Sequence, residues 1–309
     1  MKQKLKFIGN ILVLLSLVFI ILKIYNMHIN FLQYFSGSNI LKFIVLLLFF
    51  VALIFIQFIP WKLFLQNLTS TKFPNKIINY IFLKSSLMKY IPGNIFQYIG
   101  RESIASYHQS LNVINVTTSI IFESVSAIIS ALLIGIIASH EYTLHFFAKH
   151  QYFLFSLCLF LLFLCILLFL MRKKISLFLY KKNIHITIQL IWTFFVSIVF
   201  FCISLLIQGL ILTFILCIVG NQNFLPLFFS ISGAFSISWV AGYITPGASG
   251  GIGVREVIIC LILGNSIGED SILAAILLFR FLNILADIFS YLLVLILNKI
   301  DYSIYKNGK

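Results

Sequence analysis

The sequence has little charge and less acid. Charged residues make up 10% of the 309, and only 8 are Asp or Glu against 22 Lys and Arg. A soluble domain carries about 25% charged and roughly 45–50% apolar residues; here the apolar share is 61%. A soluble fold of this size has too little interior to hide that much apolar surface. Disorder is excluded too, since it needs low hydrophobicity and high charge. Proline is scarce (5) and so is cysteine (5). Cys158, Cys165, Cys202, Cys217 and Cys260 all lie in apolar runs without a CxxC pair, which argues against a disulfide framework or a metal.

What is present is long apolar runs without period-2 alternation, such as 41–58, 153–170 and 192–219. Outer-membrane strands alternate lipid-facing and lumen-facing residues, so these runs read as membrane helices. Full spans are expected at about 7–26, 40–60, 112–138, 152–171, 188–219 and 271–297, each near or above the roughly 20 residues that cross the hydrocarbon. No intervening segment is long enough for a separate extramembrane domain, so residues 1–309 read as a single transmembrane domain. Lys2, Lys4 and Lys6 precede a run of about twenty apolar residues with no A-x-A-like site, which reads as a retained helix and not a cleaved leader.

Two apolar stretches are broken. Residues 76–110 are interrupted at Pro92-Gly93 and then Arg101-Glu102. Residues 225–264 are interrupted from Thr245 to Gly253, a run holding Pro246, Gly247, Gly250, Gly251 and Gly253, and then by Arg255-Glu256. Proline and glycine clusters end helices. Broken backbone at membrane depth is tolerated only where protein or water satisfies it. Both stretches therefore read as re-entrant helical hairpins. The expected fold is all-α, a polytopic helical bundle of six spans and two re-entrant hairpins. Sixteen of the 22 basic residues, at both chain ends and around 62–89 and 172–182, then fall on one side, which the positive-inside rule makes cytoplasmic with both termini. The net charge of +14 is accounted for by that pattern and by anionic inner-leaflet lipid, and calls for no nucleic acid.

The two breaks share the pattern P-G-x7-R-E at an offset of 154 residues, each preceded by a tyrosine (Tyr90, Tyr243). They define a repeat, about 40–138 with hairpin 76–110 and about 188–297 with hairpin 225–264. Entering from opposite sides makes it inverted, as in many transporters; alternatively, two hairpins simply close the bundle.

Arg101, Glu102, Glu123, Arg255, Glu256, Arg280 and Asp287 fall in or beside apolar segments. A charge at a helix centre costs about 2.5–3.5 kcal/mol on insertion scales, so these groups must pair or be hydrated. They form either a structural ion network or the lining of a polar cavity. The glycines let backbone approach a ligand, and a helix starting near Gly253 would add its positive end to Arg255, a combination suited to phosphate. His140-Glu141-Tyr142-Thr143-Leu144-His145 has the wrong spacing for a zincin site, and Gly250-Gly251-Ile252-Gly253 lacks the βαβ context of a dinucleotide fingerprint. No nucleophile–base pair or acidic metal cluster stands out, so neither an enzyme nor a bound cofactor is expected.

Ile91-Pro92-Gly93-Asn94 through Gly100-Arg101, and Pro246-Gly247 through Gly253-Val254-Arg255-Glu256, resemble the two motifs of the lysylphosphatidylglycerol synthase/flippase transmembrane family. Glu123 and Arg280 resemble its acidic and basic intramembrane positions, whereas Ser124 and Ala127 stand where that family often has Arg and Asp. The resemblance implies translocation of an anionic phospholipid or a polyprenyl-phosphate-linked sugar between leaflets in envelope biogenesis. Pro92, Gly93, Arg101, Glu102, Glu123, Pro246, Gly247, Gly250, Gly251, Gly253, Arg255, Glu256, Arg280 and Asp287 would form its substrate path. Homo-oligomers or envelope-synthesis enzymes are the expected protein partners. A membrane-embedded enzyme and a non-catalytic accessory of a glycan pathway are the competing functions.

Overall fold

A computed structural model describes residues 39–306 except 92–94, 110, 139–186, 246–250 and 252, together with Tyr34 and Gly37. The expected spans at 7–26 and 152–171, the His140–His145 segment, and Pro92, Gly93, Pro246, Gly247 and Gly250 lie outside the described residues. The described chain is all-helical. Helices α1 (Asn39–Ile56) and α2 (Phe58–Thr69) follow one another closely. Then come α3 (Asn75–Ser86), a 3₁₀ turn (Leu87–Tyr90), α4 (Phe96–Gln109) and α5 (Val113–Ala138). The second half holds α6 (Ile188–Gly220), a 3₁₀ turn (Leu225–Leu227), α7 (Phe228–Ile244), α8 (Val254–Ile267) and α9 (Glu269–Lys306).

Local chemistry sets the ends. Asn112 caps α5, its Oδ1 accepting from the Ile114 N–H at 3.0 Å, and Thr187 caps α6 by accepting from the Leu190 N–H at 3.2 Å. Asn221, in left-handed conformation, stops α6. Gly253 and Gly268, with φ of 83° and 94°, bracket α8. Between α1 and α2 the chain breaks at Gln57. Pro60 has no N–H to donate to the Ile56 carbonyl four residues back, which accounts for the break.

Five segments are long and apolar enough to cross a membrane: Asn39–Thr69, Val113–Ala138, Ile188–Gly220, Leu225–Ile244 and Glu269–Leu297. Four match expected spans. The remaining one, Leu225–Ile244, is the first arm of the second expected hairpin, and at 20 residues it has spanning length by itself. By contrast α3, α4 and α8 have 12, 14 and 14 residues, and at ~1.5 Å per residue they fall short of ~30 Å of hydrocarbon. Large apolar side chains such as Leu41, Ile137, Ile188 and Trp192 are exposed, a surface suited to lipid.

The two halves pack by one scheme. The first helix of each half lies on the last helix of the other: α1 on α9 and α6 on α5. The arm before each glycine-proline break also crosses over, α3 onto α9 and α7 onto α5. The arm after the break stays with its own half, α4 on α5 and α8 on α9. Phe279 of α9 joins the halves, its ring 4.9 Å from that of Phe50 on α1 and 5.1 Å from that of Phe235 on α7. Cys202, Cys217 and Cys260 are free thiols.

Where helices touch most closely the contact residues are small, as expected when apolar lipid supplies no net drive for helix association. A methyl group on Gly209 of α6 would lie 2.1 Å from Ser232 Oγ and 2.8 Å from Ser232 Cα on α7. One on Gly135 of α5 would lie 2.7 Å from Ile237 Cγ1. Gly209→Ala therefore forces α6 and α7 apart and is expected to destabilise by about 1–3 kcal/mol. Thermal unfolding in detergent measures this, and adding Ser232→Gly should recover part of the loss.

Candidate functional site

Buried charges meet where the broken segments pack on the last helix of each half. Arg101, on α4, is buried with its Nη1 2.5 Å from Glu123 Oε2 on α5. Its Nε donates to Ser85 Oγ at 3.3 Å. The guanidinium lies 4.3 Å from the Phe82 ring centroid and 5.1 Å from that of Trp61, and the indole donates to Ser119 Oγ at 2.9 Å. Charge, hydrogen bond and two π faces thus surround one guanidinium.

The second half repeats the contact with the signs exchanged. Here the helix after the break supplies the acid, Glu256 on α8, and the last helix supplies the base, Arg280 on α9. Arg280 Nη2 donates to Glu256 Oε2 at 3.1 Å and to the Gly251 carbonyl at 3.0 Å. Glu256 Oε1 is nearer, at 2.9 Å, but makes no hydrogen bond, so it contributes Coulombic attraction only. A third pair crosses between halves. Asp287 of α9 accepts from the Tyr90 hydroxyl and lies 2.6 Å from Lys89 Nζ.

These groups surround a cavity of about 260 Å³. Lys89, Arg101, Arg255, Arg280 and Glu123 line it, with neutral polar groups including Gln57, Gln208 and Asn283. Glu256 and Asp287 stand behind the cations they pair with. Tyr98 of α4 and Tyr243 of α7 meet across it, their hydroxyl oxygens 2.6 Å apart, and Trp239 stacks on Tyr243 with ring centroids 5.2 Å apart.

Arg255 differs from the other cations. Among the described residues no carboxylate lies within ion-pair distance of it, and its Nε is buried without a hydrogen-bond partner. Its side chain lies across two glycines. A methyl group on Gly242 would be 2.9 Å from Arg255 Cγ, and one on Gly251 would be 2.8 Å from Arg255 Nε and 2.9 Å from Gly242 Cα. Gly251 has a φ of 73° as well. Part of the glycine richness of this segment thus lets two backbones and one arginine stem share a space with no room for a Cβ.

The sequence-predicted residues separate into groups. Arg101, Glu123, Arg255 and Arg280 line one cavity, with Glu256 and Gly251 in contact with them and Asp287 paired with Lys89, which lines it too. Glu102 is placed elsewhere. It accepts from Thr117 Oγ1 at 3.3 Å, toward the exposed side of α5, and does not line the cavity. The turn through α4 that buries Arg101 carries its neighbour outward. Gly253 is the exposed residue at the start of α8, where its φ of 83° is required.

Lys89, which reads in the sequence as one of the loop lysines of 62–89, lines the cavity. The signal was available: Asp287 needed a cation, and Lys89 directly precedes the tyrosine of the first motif. Tyr98, Gln57 and Asn283 gave none, because isolated polar residues in apolar helices carry no pattern.

Fold and site together define a helical membrane protein with a cation-rich internal cavity between its two halves. No protein-family model, curated protein or solved structure matches the chain.

Removing one member of a buried pair strands its partner, which typically costs about 3–5 kcal/mol. Glu123→Ala is expected to lose stability of that order in equilibrium unfolding. The double variant Arg101→Met with Glu123→Leu should regain most of it.

Proposed function

We propose that this chain is an integral membrane lipid flippase or transporter that moves an anionic lipid, or a lipid-linked sugar, between leaflets during envelope biogenesis. The observation that carries the reading is the cavity itself. It lies between the two halves of a helical bundle with an apolar exterior, and it is lined by Lys89, Arg101, Arg255 and Arg280. Intramembrane charge around a cavity marks a path for a polar group. A headgroup would cross by way of these side chains while its acyl or prenyl tails stay in lipid.

The proposed topology has six spans, two re-entrant hairpins of opposite entry, and both termini cytoplasmic in the inner or plasma membrane. Three helices too short to cross, the exchanged packing of the two halves, and the basic residues gathered on one side support it. The motifs around Arg101 and Arg255 resemble those of the lysylphosphatidylglycerol synthase/flippase family, in keeping with the same activity. The sequence contains no Walker motif, so the proposed energy source is an ion gradient or consumption of the delivered lipid.

The paired charges would hold the path open and folded, and Arg255, which has no ion-pair partner among the described residues, would contact the headgroup. Proteoliposomes carrying labelled phospholipids or polyprenyl-phosphate sugars test this through the leaflet distribution of label. Loss of one charge-assisted contact, about 1.5–3 kcal/mol, should slow transfer by roughly tenfold or more in Arg255→Ala. Transfer of every lipid at the protein-free rate by the folded wild type would overturn the proposal.

A further inference from the structure

The charge count around the cavity bears on what the headgroup can be. Lys89, Arg101 and Arg280 each have an acid in ion-pair contact: Asp287, Glu123 and Glu256. Arg255 has none among the described residues, so the set carries four cations against three anions. A lone guanidinium at membrane depth is costly, and one ligand charge would offset it. Arg255 Nε and Arg280 Nη1 are buried away from the cavity surface that both residues line, so what the two arginines offer a ligand there is charge. Gly242 and Gly251 hold the Arg255 stem in place by contact.

Size sets a second limit. At about 260 Å³ the cavity lies just under the roughly 300–1,000 Å³ of pockets that take drug-sized ligands. It has room for a phosphate with one small polar substituent, and a bulkier headgroup would extend through its open side.

We propose that the cavity is selective for a single phosphodiester headgroup, whose two non-bridging oxygens share one negative charge. That one charge offsets the one excess cation. A diphosphate brings further charge that the three internal carboxylates repel. This rests on the lipid-transport reading above and narrows its substrate. Glycerophospholipids and polyprenyl-phosphate sugars both supply the group.

The test is binding to the purified full chain in an uncharged detergent. The probes are dihexanoyl phosphatidylglycerol, farnesyl phosphoglucose and farnesyl diphosphate, with affinities from isothermal titration calorimetry. At least one of the two phosphodiesters should bind about tenfold or more tighter than the diphosphate, since one unit charge at contact distance is worth at least that much at protein-like dielectric. Which phosphodiester binds identifies the lipid class. Arg255→Gln should weaken the phosphodiester by a similar factor. Glu123→Gln, or Asp287→Asn if that variant does not fold, adds one net positive charge and should shift preference toward the diphosphate. Equal or tighter diphosphate binding by the wild type overturns the phosphodiester assignment and leaves lipid transport standing. Absence of binding by all three probes to folded protein overturns both.

Discussion

The architecture depends on one constraint: a charge carried into a membrane must meet its opposite there. Arg101, Glu256 and Asp287 are buried, and each has an ion-pair partner on another helix or on the turn after α3. These are not surface pairs of marginal worth. Removing the partner of Arg101, Glu123, Glu256, Arg280 or Asp287 leaves a charge where water cannot easily follow, so the pairs fix which broken segment docks on which helix. Apolar packing alone would leave that choice weakly determined, because lipid tails and leucine side chains are nearly equivalent surroundings.

The same constraint makes the halves alike in plan and unlike in chemistry. Both place the helix after the break, which carries Arg-Glu, against their own last helix. In the first half the arginine turns inward and finds Glu123; in the second the glutamate turns inward and finds Arg280. One motif, read with opposite residues facing the partner, therefore yields two ion pairs of reversed polarity. The leftover members have different fates. Glu102 reaches the periphery and bonds Thr117, while Arg255 stays at the cavity. The net positive character of the cavity comes from this asymmetry.

Small residues make the arrangement geometrically possible. Gly209 against Ser232 and Gly135 against Ile237 bring α6 and α5 close to α7. Gly242 against Gly251 brings the two sides of the second break together around the arginine. Other buried serines of these helices, such as Ser126 and Ser236, return their hydroxyls to the carbonyl four residues back.

Much of this was legible in the order of residues. The helices Asn39–Thr69, Val113–Ala138, Ile188–Gly220 and Glu269–Lys306 follow from apolar runs that water would not tolerate. The paired Arg-Glu motifs mark the segments that converge, because charges in such runs need partners. Three things were decided only by the tertiary structure. The arm before the second break, Leu225–Ile244, is one segment with the length of a span. Lys89 turns inward to Asp287, although a lysine beside a loop reads as a topology signal. The sorting of Arg101 from Glu102, and of Arg255 from Glu256, depends on helix rotation, which sets adjacent side chains about 100° apart. Composition can require that buried charges balance; only the packed helices determine which of them face one another and which one is left over.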